Sequence, residues 1–81
     1  MFHKLKSLNY CDDFLIIVEF EDGSVKRYNI ENLFQDYPQF KILKDKELFK
    51  SGKLEKYGII WNDELDLSSE EIYQNGVNIG G

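Results

Sequence analysis

The chain has 81 residues, 42% hydrophobic and 31% charged, with six Phe, five Tyr and one Trp. A chain of this size forms one domain that hides only ~60–65% of the surface it exposes when unfolded, so its stability is modest; its apolar content nonetheless excludes a disordered chain. Fifteen acidic residues against ten basic ones give a net charge of −5, the wrong sign for a surface that neutralises phosphates, and direct contact with nucleic acid is not expected.

No apolar run reaches the ~18 residues of a membrane span. The opening stretch "MFHKLKSLNY" has no apolar segment that could serve as a signal peptide, and the single Cys11 has no partner for an internal disulfide. The expected setting is the cytoplasm, with no membrane contact.

Residues 4 to 10, "KLKSLNY", read as a first strand, with Lys4 and Lys6 marking it as an edge. "YCDDF" then turns the chain. In "FLIIVEFEDGSVKRYNI", residues 14 to 30, Phe14, Ile16, Val18 and Phe20 alternate onto one face, while Leu15, Ile17 and Glu19 occupy the other. The turn allows two registers. A two-residue Asp22-Gly23 loop sets Val18 opposite Arg27; a three-residue Glu21-Asp22-Gly23 loop, with Gly23 left-handed, sets Ile16 opposite Tyr28 and Phe14 opposite Ile30. The second gathers the apolar side chains and is the expected one, since a slip of one residue flips every side chain.

Alternation ends after Ile30. "ENLFQDY" reads as one or two helical turns with Leu33 and Phe34 inward and Asn29 placed to cap. Pro38 holds Tyr37 extended and keeps that helix short. "DKELFKSG" is a second short helix, capped by Asp45, that sends Leu48 and Phe49 inward and ends before Gly52. "KLEKYGIIW" forms two short strands around Tyr57-Gly58, with Ile59 and Trp61 on one face and Ile60 on the other. "NDELDL" continues as a turn and a short extended piece. Ser68 and Glu71 have the spacing of a capping box, so "SSEEIYQNG" is a C-terminal helix stopped at Asn75-Gly76, and residues 77–81 form a short flexible tail.

Few residues offer chemistry. His3 and Cys11 could meet across a strand pair, yet no oxyanion-forming context accompanies them, and an ordinary terminal His and a strand-end Cys are the plainer account. Asp12 and Asp13 beside them lack the tight ligand pairs of a metal site and read as a turn. The glycines are spread singly, so no phosphate-binding loop exists. The acidic run "DELDLSSEE", residues 63 to 71, could imitate a phosphate track and block a basic partner, although a solvated helix start accounts for it more simply. No catalytic residue, metal or cofactor is expected, and the protein is not expected to be an enzyme. Tyr57, Trp61 and Tyr73 are the aromatic residues set beside polar segments, where Trp and Tyr favour protein interfaces. At an interface Trp61 would act as an anchor; in a core its indole N–H would reach a backbone carbonyl.

Taken in order, "FLIIVEFEDGSVKRYNI", Leu33 and Phe34, Phe40, Leu43, Asp45, Phe49, Trp61, "LDL" at 65 to 67 and "EEIY" at 70 to 73 resemble the bacterial family called domain of unknown function 2442. The resemblance runs from about Leu5 to Tyr73, with Phe20, Asp22, Gly23, Trp61, Asp66 and Tyr73 matching the family pattern. Departures fall at Asn29, where the family often has Asp, at Ile72, where it often has Leu, and at Ser68 and Ser69, where a Pro is common. The resemblance implies a small α+β domain, joined in some members to a repressor-like helix-turn-helix and encoded in some beside another small protein, an arrangement like a toxin–antitoxin pair. With no helix-turn-helix of its own, this chain is expected to reach DNA only through a partner.

The sequence thus predicts one α+β domain over residues 1–81: a hairpin-rich antiparallel sheet of about five strands, with two or three short helices on one face. The expected function is a regulatory or accessory module that binds another protein through Tyr57, Trp61, Asp66 and Tyr73. The alternative is a homodimer formed through an exposed sheet edge, either the first strand or the Trp61 strand; an acidic inhibitor of a nucleic-acid-binding protein is the remoter one.

Overall fold

The computed structural model describes residues 3–81. Its strands form two antiparallel sheets. The first comprises β1 (Leu5–Tyr10), β2 (Leu15–Phe20), β3 (Val25–Asn29) and, from the far end of the chain, β7 (Val77–Gly80), in the order β1-β2-β3-β7. The second comprises β4 (Lys53–Glu55), β5 (Gly58–Asn62) and β6 (Leu65–Ser68), with β5 in the middle. The α+β class is as expected, but the strands divide between two sheets rather than forming one. The sheets meet where the backbone N–H of Leu5 in β1 donates to the carbonyl of Lys56, 2.8 Å away.

The hairpin β2–β3 follows the three-residue register. Ile16 faces Tyr28 and Glu19 faces Val25; the N–H of Phe20 closes the loop onto the carbonyl of Ser24, and Gly23 takes φ +93. Asp22 stabilises the turn by accepting from the N–H of Ser24 at 2.9 Å. Ile16, Val18 and Phe20 are buried, whereas Leu15, Ile17 and Glu19 are half-buried. The ladder ends at Leu15 and Asn29, one residue short of the expected Phe14–Ile30 pair. Asp13 and Phe14 have turned into the left-handed region, at φ 61 and 63, a conformation that costs roughly 1–2 kcal/mol per residue for L side chains. The Phe14 ring packs edge-on against Phe34 and Phe49, 5.7 and 5.4 Å between centroids, and these contacts offset that cost.

Three short helical pieces lead to the second sheet. A 3-10 turn, Ile30–Leu33, is capped by Asn29, whose side chain accepts from the N–H of Glu31. A longer 3-10 segment, Pro38–Lys44, was not apparent from periodicity; it buries Phe40 and Leu43. Helix α1 (Lys46–Phe49) begins at Asp45, which accepts from the N–H groups of Glu47 and Leu48. Phe49 is buried and Leu48 only partly so.

Helix α2 (Ser69–Asn75) starts where the capping box predicted: Ser68 Oγ accepts from the N–H of Glu71. The reciprocal half of the box is absent. Glu71 Oε2 accepts instead from the phenol of Tyr28 at 2.8 Å, so the carboxylate ties α2 to β3. After Asn75 the chain does not run loose. Val77–Gly80 pairs with β3, Val77 opposite Arg27 and Asn78 opposite Lys26, which corrects the expected tail at 77–81. Its Val-Asn-Ile-Gly composition is too short for alternation to mark a strand, and its pairing partner lies some fifty residues earlier in the chain.

The core joins both sheets: Ile16, Val18, Phe20 and Tyr28 from the first, Ile59, Trp61, Leu65 and Leu67 from the second, with Phe49 and Ile72 from the helices. Each such side chain contributes ~1.5–3 kcal/mol on full burial. No helix among the described residues is long and apolar enough to cross a membrane.

Candidate functional site

Of the four residues expected to bind a partner, the structure sends two inward or elsewhere and brings two together. Trp61 belongs to the core. Only 9% of its surface is accessible, and its indole N–H donates to the carbonyl of Phe49 at 2.9 Å. Its ring meets Phe40 edge-on, 6.3 Å between centroids. Strand parity decides this: Ile59 and Trp61 share the inner face of β5, and Ile60 between them points out. Because β5 has a neighbour on each side, the Trp61 strand also has no free edge, which corrects its expected role in self-association.

Tyr73 lies at the hairpin end of the four-stranded sheet. Its ring stacks on His3, 3.6 Å between centroids, and meets Phe20 edge-on. Its phenol donates to Asp22 Oδ2 at 3.0 Å, and the ammonium of Lys26 sits 4.8 Å from the ring centre. Asp22 holds the Tyr73 phenol above its ordinary range by accepting from it. These contacts pin α2 to the β2–β3 turn, so Tyr73 acts as a clasp.

Tyr57 and Asp66 share the outer side of the three-stranded sheet. With Ile60 and Glu55 they line a shallow concavity of about 400 Å³. Tyr57 is 45% and Ile60 37% exposed, and Asp66 lies directly across from Ile60 in the β5–β6 ladder. Asp66 also forms one wall of a neighbouring groove of about 280 Å³, where it is joined by Tyr37, Gln39, Phe40, Ser68 and Glu71. The two hollows therefore form one tract that passes over Asp66. Tyr37, at its far end, is 50% exposed.

Sequence reasoning missed Tyr37, Gln39 and Glu71. Tyr37 sits in an irregular stretch where no periodicity assigns a face, and Glu71 was accounted for as a capping residue. The Tyr37-Pro38 dipeptide was the available signal, since an aromatic held extended before Pro cannot fold into a helix face.

His3 and Cys11 do not meet. His3 precedes β1 and Cys11 follows it, so a six-residue strand, ~20 Å at ~3.3 Å per residue, separates them. His3 Nδ1 lies 2.6 Å from Glu70 Oε2, and the His3 N–H donates to the same oxygen. Cys11, Asp12 and Asp13 line a small hollow with Lys46 and Lys50, whose ammonium groups oppose a cation there. Among the described residues no three His, Cys, Asp or Glu side chains cluster to hold a metal.

Two phenols, Tyr28 buried and Tyr10 half-buried, frame the interior. Burial raises Tyr10 to about 12, and its O–H donates to the carbonyl of Gly52. Burial, followed by the bond to Glu71, raises Tyr28 further. Both remain neutral donors at physiological pH, which suits fixed structural bonds and gives no group poised for proton transfer.

Comparison with the curated proteins and with the solved structures returned no match. One family model does match, that of a protein of unknown function (DUF2442), over residues 5–78. It takes in every strand from β1 to β6, both helices and the start of β7, and the chain belongs to that family.

Proposed function

We propose that this domain is a non-enzymatic protein-binding module, a cytoplasmic regulatory or accessory protein that docks a partner on the tract running from Tyr57 over Asp66 to Tyr37. What supports this reading is the composition of the tract. Two exposed tyrosines and Ile60 surround a carboxylate on a rigid sheet, giving apolar anchors around a polar specifier. A toxin–antitoxin-like pair, with this chain as one half, is the cellular arrangement we propose for it.

The test is capture from the protein's own cell extract with tagged parent and a Tyr57→Ser, Asp66→Arg double variant whose fold is checked by circular dichroism. One protein retained at stoichiometric yield by the parent and lost by the variant is the expected result. A partner retained equally by both, or none with the parent, overturns the assignment.

Self-association is the second reading, favoured by β7. This edge strand carries no charge and no proline, and Val77 and Ile79 are 52% and 45% exposed, whereas edges are commonly guarded by charge or Pro. A molecular mass that rises with concentration and returns to the monomer value in Ile79→Lys would favour it; a constant monomer mass would remove it.

A further inference from the structure

The groove beside β6 differs from the rest of the tract in its charge and its walls. β6 is hydrogen-bonded to β5 on one side only. Asp66, Leu67 and Ser68, three consecutive residues of this edge strand, line the groove. Tyr37, Gln39, Phe40 and Glu71 line it as well. No lysine or arginine is among the lining residues, and among the described residues neither Asp66 nor Glu71 is in an ion pair. The phenol of Tyr28 already orients Glu71 through one oxygen; a carboxylate has about four acceptor sites, so capacity remains.

From this we infer that the groove takes an extended, arginine-bearing segment of a partner protein, laid along the open edge of β6. This inference rests on the protein-binding reading above and names the chemistry of the partner. A helix ~10–12 Å across displaces more than the groove's volume in one turn, whereas an extended chain can add to a strand edge and direct alternate side chains into adjoining pockets. A guanidinium entering between Asp66 and Glu71 meets two carboxylates, and its planar face can lie on the Tyr37 ring. Arginine fits this better than lysine because a fork of donors can serve both carboxylates while the plane stacks. The negative charge of the whole chain, −5, draws such a segment in from a distance.

The probe is a blocked hexapeptide of alternating arginine and valine, titrated into the ¹⁵N-labelled full chain, with a second peptide in which neutral citrulline replaces each arginine. The expected result is saturable shifts confined to the amides of Tyr37, Gln39, Phe40, Asp66–Ser68 and Glu71. Affinity should fall by about tenfold or more with citrulline, and equally in Asp66→Asn, Glu71→Gln, where Gln can still accept from Tyr28. Glu19→Gln, on the other sheet, controls for general charge and should leave binding unchanged. Equal binding of the citrulline peptide, shifts spread over all acidic residues without saturation, or shifts at Val77–Gly80 would each overturn the inference. If the peptide fails while a captured partner still depends on Tyr57 and Asp66, the module stands and its partner has other chemistry; if both fail, the module reading falls with it.

Discussion

The two faces of the three-stranded sheet carry similar residues in opposite roles. The inner face of β5 presents Ile59 and Trp61, both buried; the outer side presents Ile60, with Tyr57 at the adjoining turn, both exposed. Residue type does not separate these sets, since each pairs a branched aliphatic with a large aromatic. Strand parity separates them. A side chain one position along a strand points to the opposite face, and β5 therefore builds a core and a surface from one run, "GIIW".

The largest test of that contrast is Trp61→Ala set against Tyr57→Ala. The first removes a large core side chain and leaves the Phe49 carbonyl without its donor, so it should destabilise the fold by ~3–5 kcal/mol. For a domain of marginal stability that is enough to unfold a large share of molecules. Tyr57→Ala should change stability by ~1 kcal/mol or less, as surface substitutions generally do. Urea denaturation of both variants gives the comparison. Equal losses would show that the outer face is as structural as the inner one, and the proposed docking tract would lose its basis.

The packing around Trp61 can be probed without touching it. A Cβ on Gly52 would meet the Tyr10 phenol oxygen and lie 2.7 Å from Trp61 Nε1, in the pocket where Tyr10 also bonds the Gly52 carbonyl. Gly52→Ala should cost ~1–3 kcal/mol through overpacking, with altered Trp fluorescence. Gly23→Ala supplies the contrast: nothing lies within 4 Å of its Cβ, and only its φ of +93 resists the change. About 1 kcal/mol is expected there, with Trp fluorescence unchanged. Opposite behaviour of the two glycines would overturn the separation of steric from backbone strain.

The hairpin was legible in the sequence because three independent signals agreed: alternation from Ile16 to Phe20, an Asp-Gly turn, and a register that gathers the apolar set. Caps at Asn29, Asp45 and Ser68 were legible for the same kind of reason, each being a short polar side chain before a helical start. β7 was not, since "VNIG" is meaningful as a strand only beside β3, and local pattern holds no record of a distant partner. Of the proposed tract, the sequence offered Tyr57 and Asp66, which line one hollow, but it grouped Trp61 with them on residue type, although the parity that put Ile59 and Trp61 together already implied a shared inward face. Tyr73 was misgrouped for a different reason: the His3 and Asp22 side chains that engage it are far from it in sequence.

That clasp around Tyr73 gives the smallest predicted effect, and pH isolates it. The His3 side chain, as the nearest hydrogen-bond partner, holds Glu70 below its ordinary carboxyl range against a weaker opposing effect of burial. Hydrogen bonds from the Ser24 hydroxyl and N–H, with a smaller one from Tyr73, lower Asp22 in the same way. A folded pKa below the unfolded one means that stability is present above the ordinary value, near 4.5 for Glu70. It is lost as pH falls through the lowered value, because the unfolded chain then takes up protons first. His3→Phe keeps a ring to stack on Tyr73 but removes the side-chain partner of Glu70. Its urea midpoint should lie below that of the parent at pH 5 to 7, and the gap should close as pH is lowered below ~4.5. Asp22 serves as the internal reference, since its lowering comes chiefly from Ser24 and only last from His3, so most of its loss at low pH should persist in the variant. A gap that stays constant with pH would mean that His3 contributes through ring packing alone and that its bond to Glu70 adds nothing to the clasp.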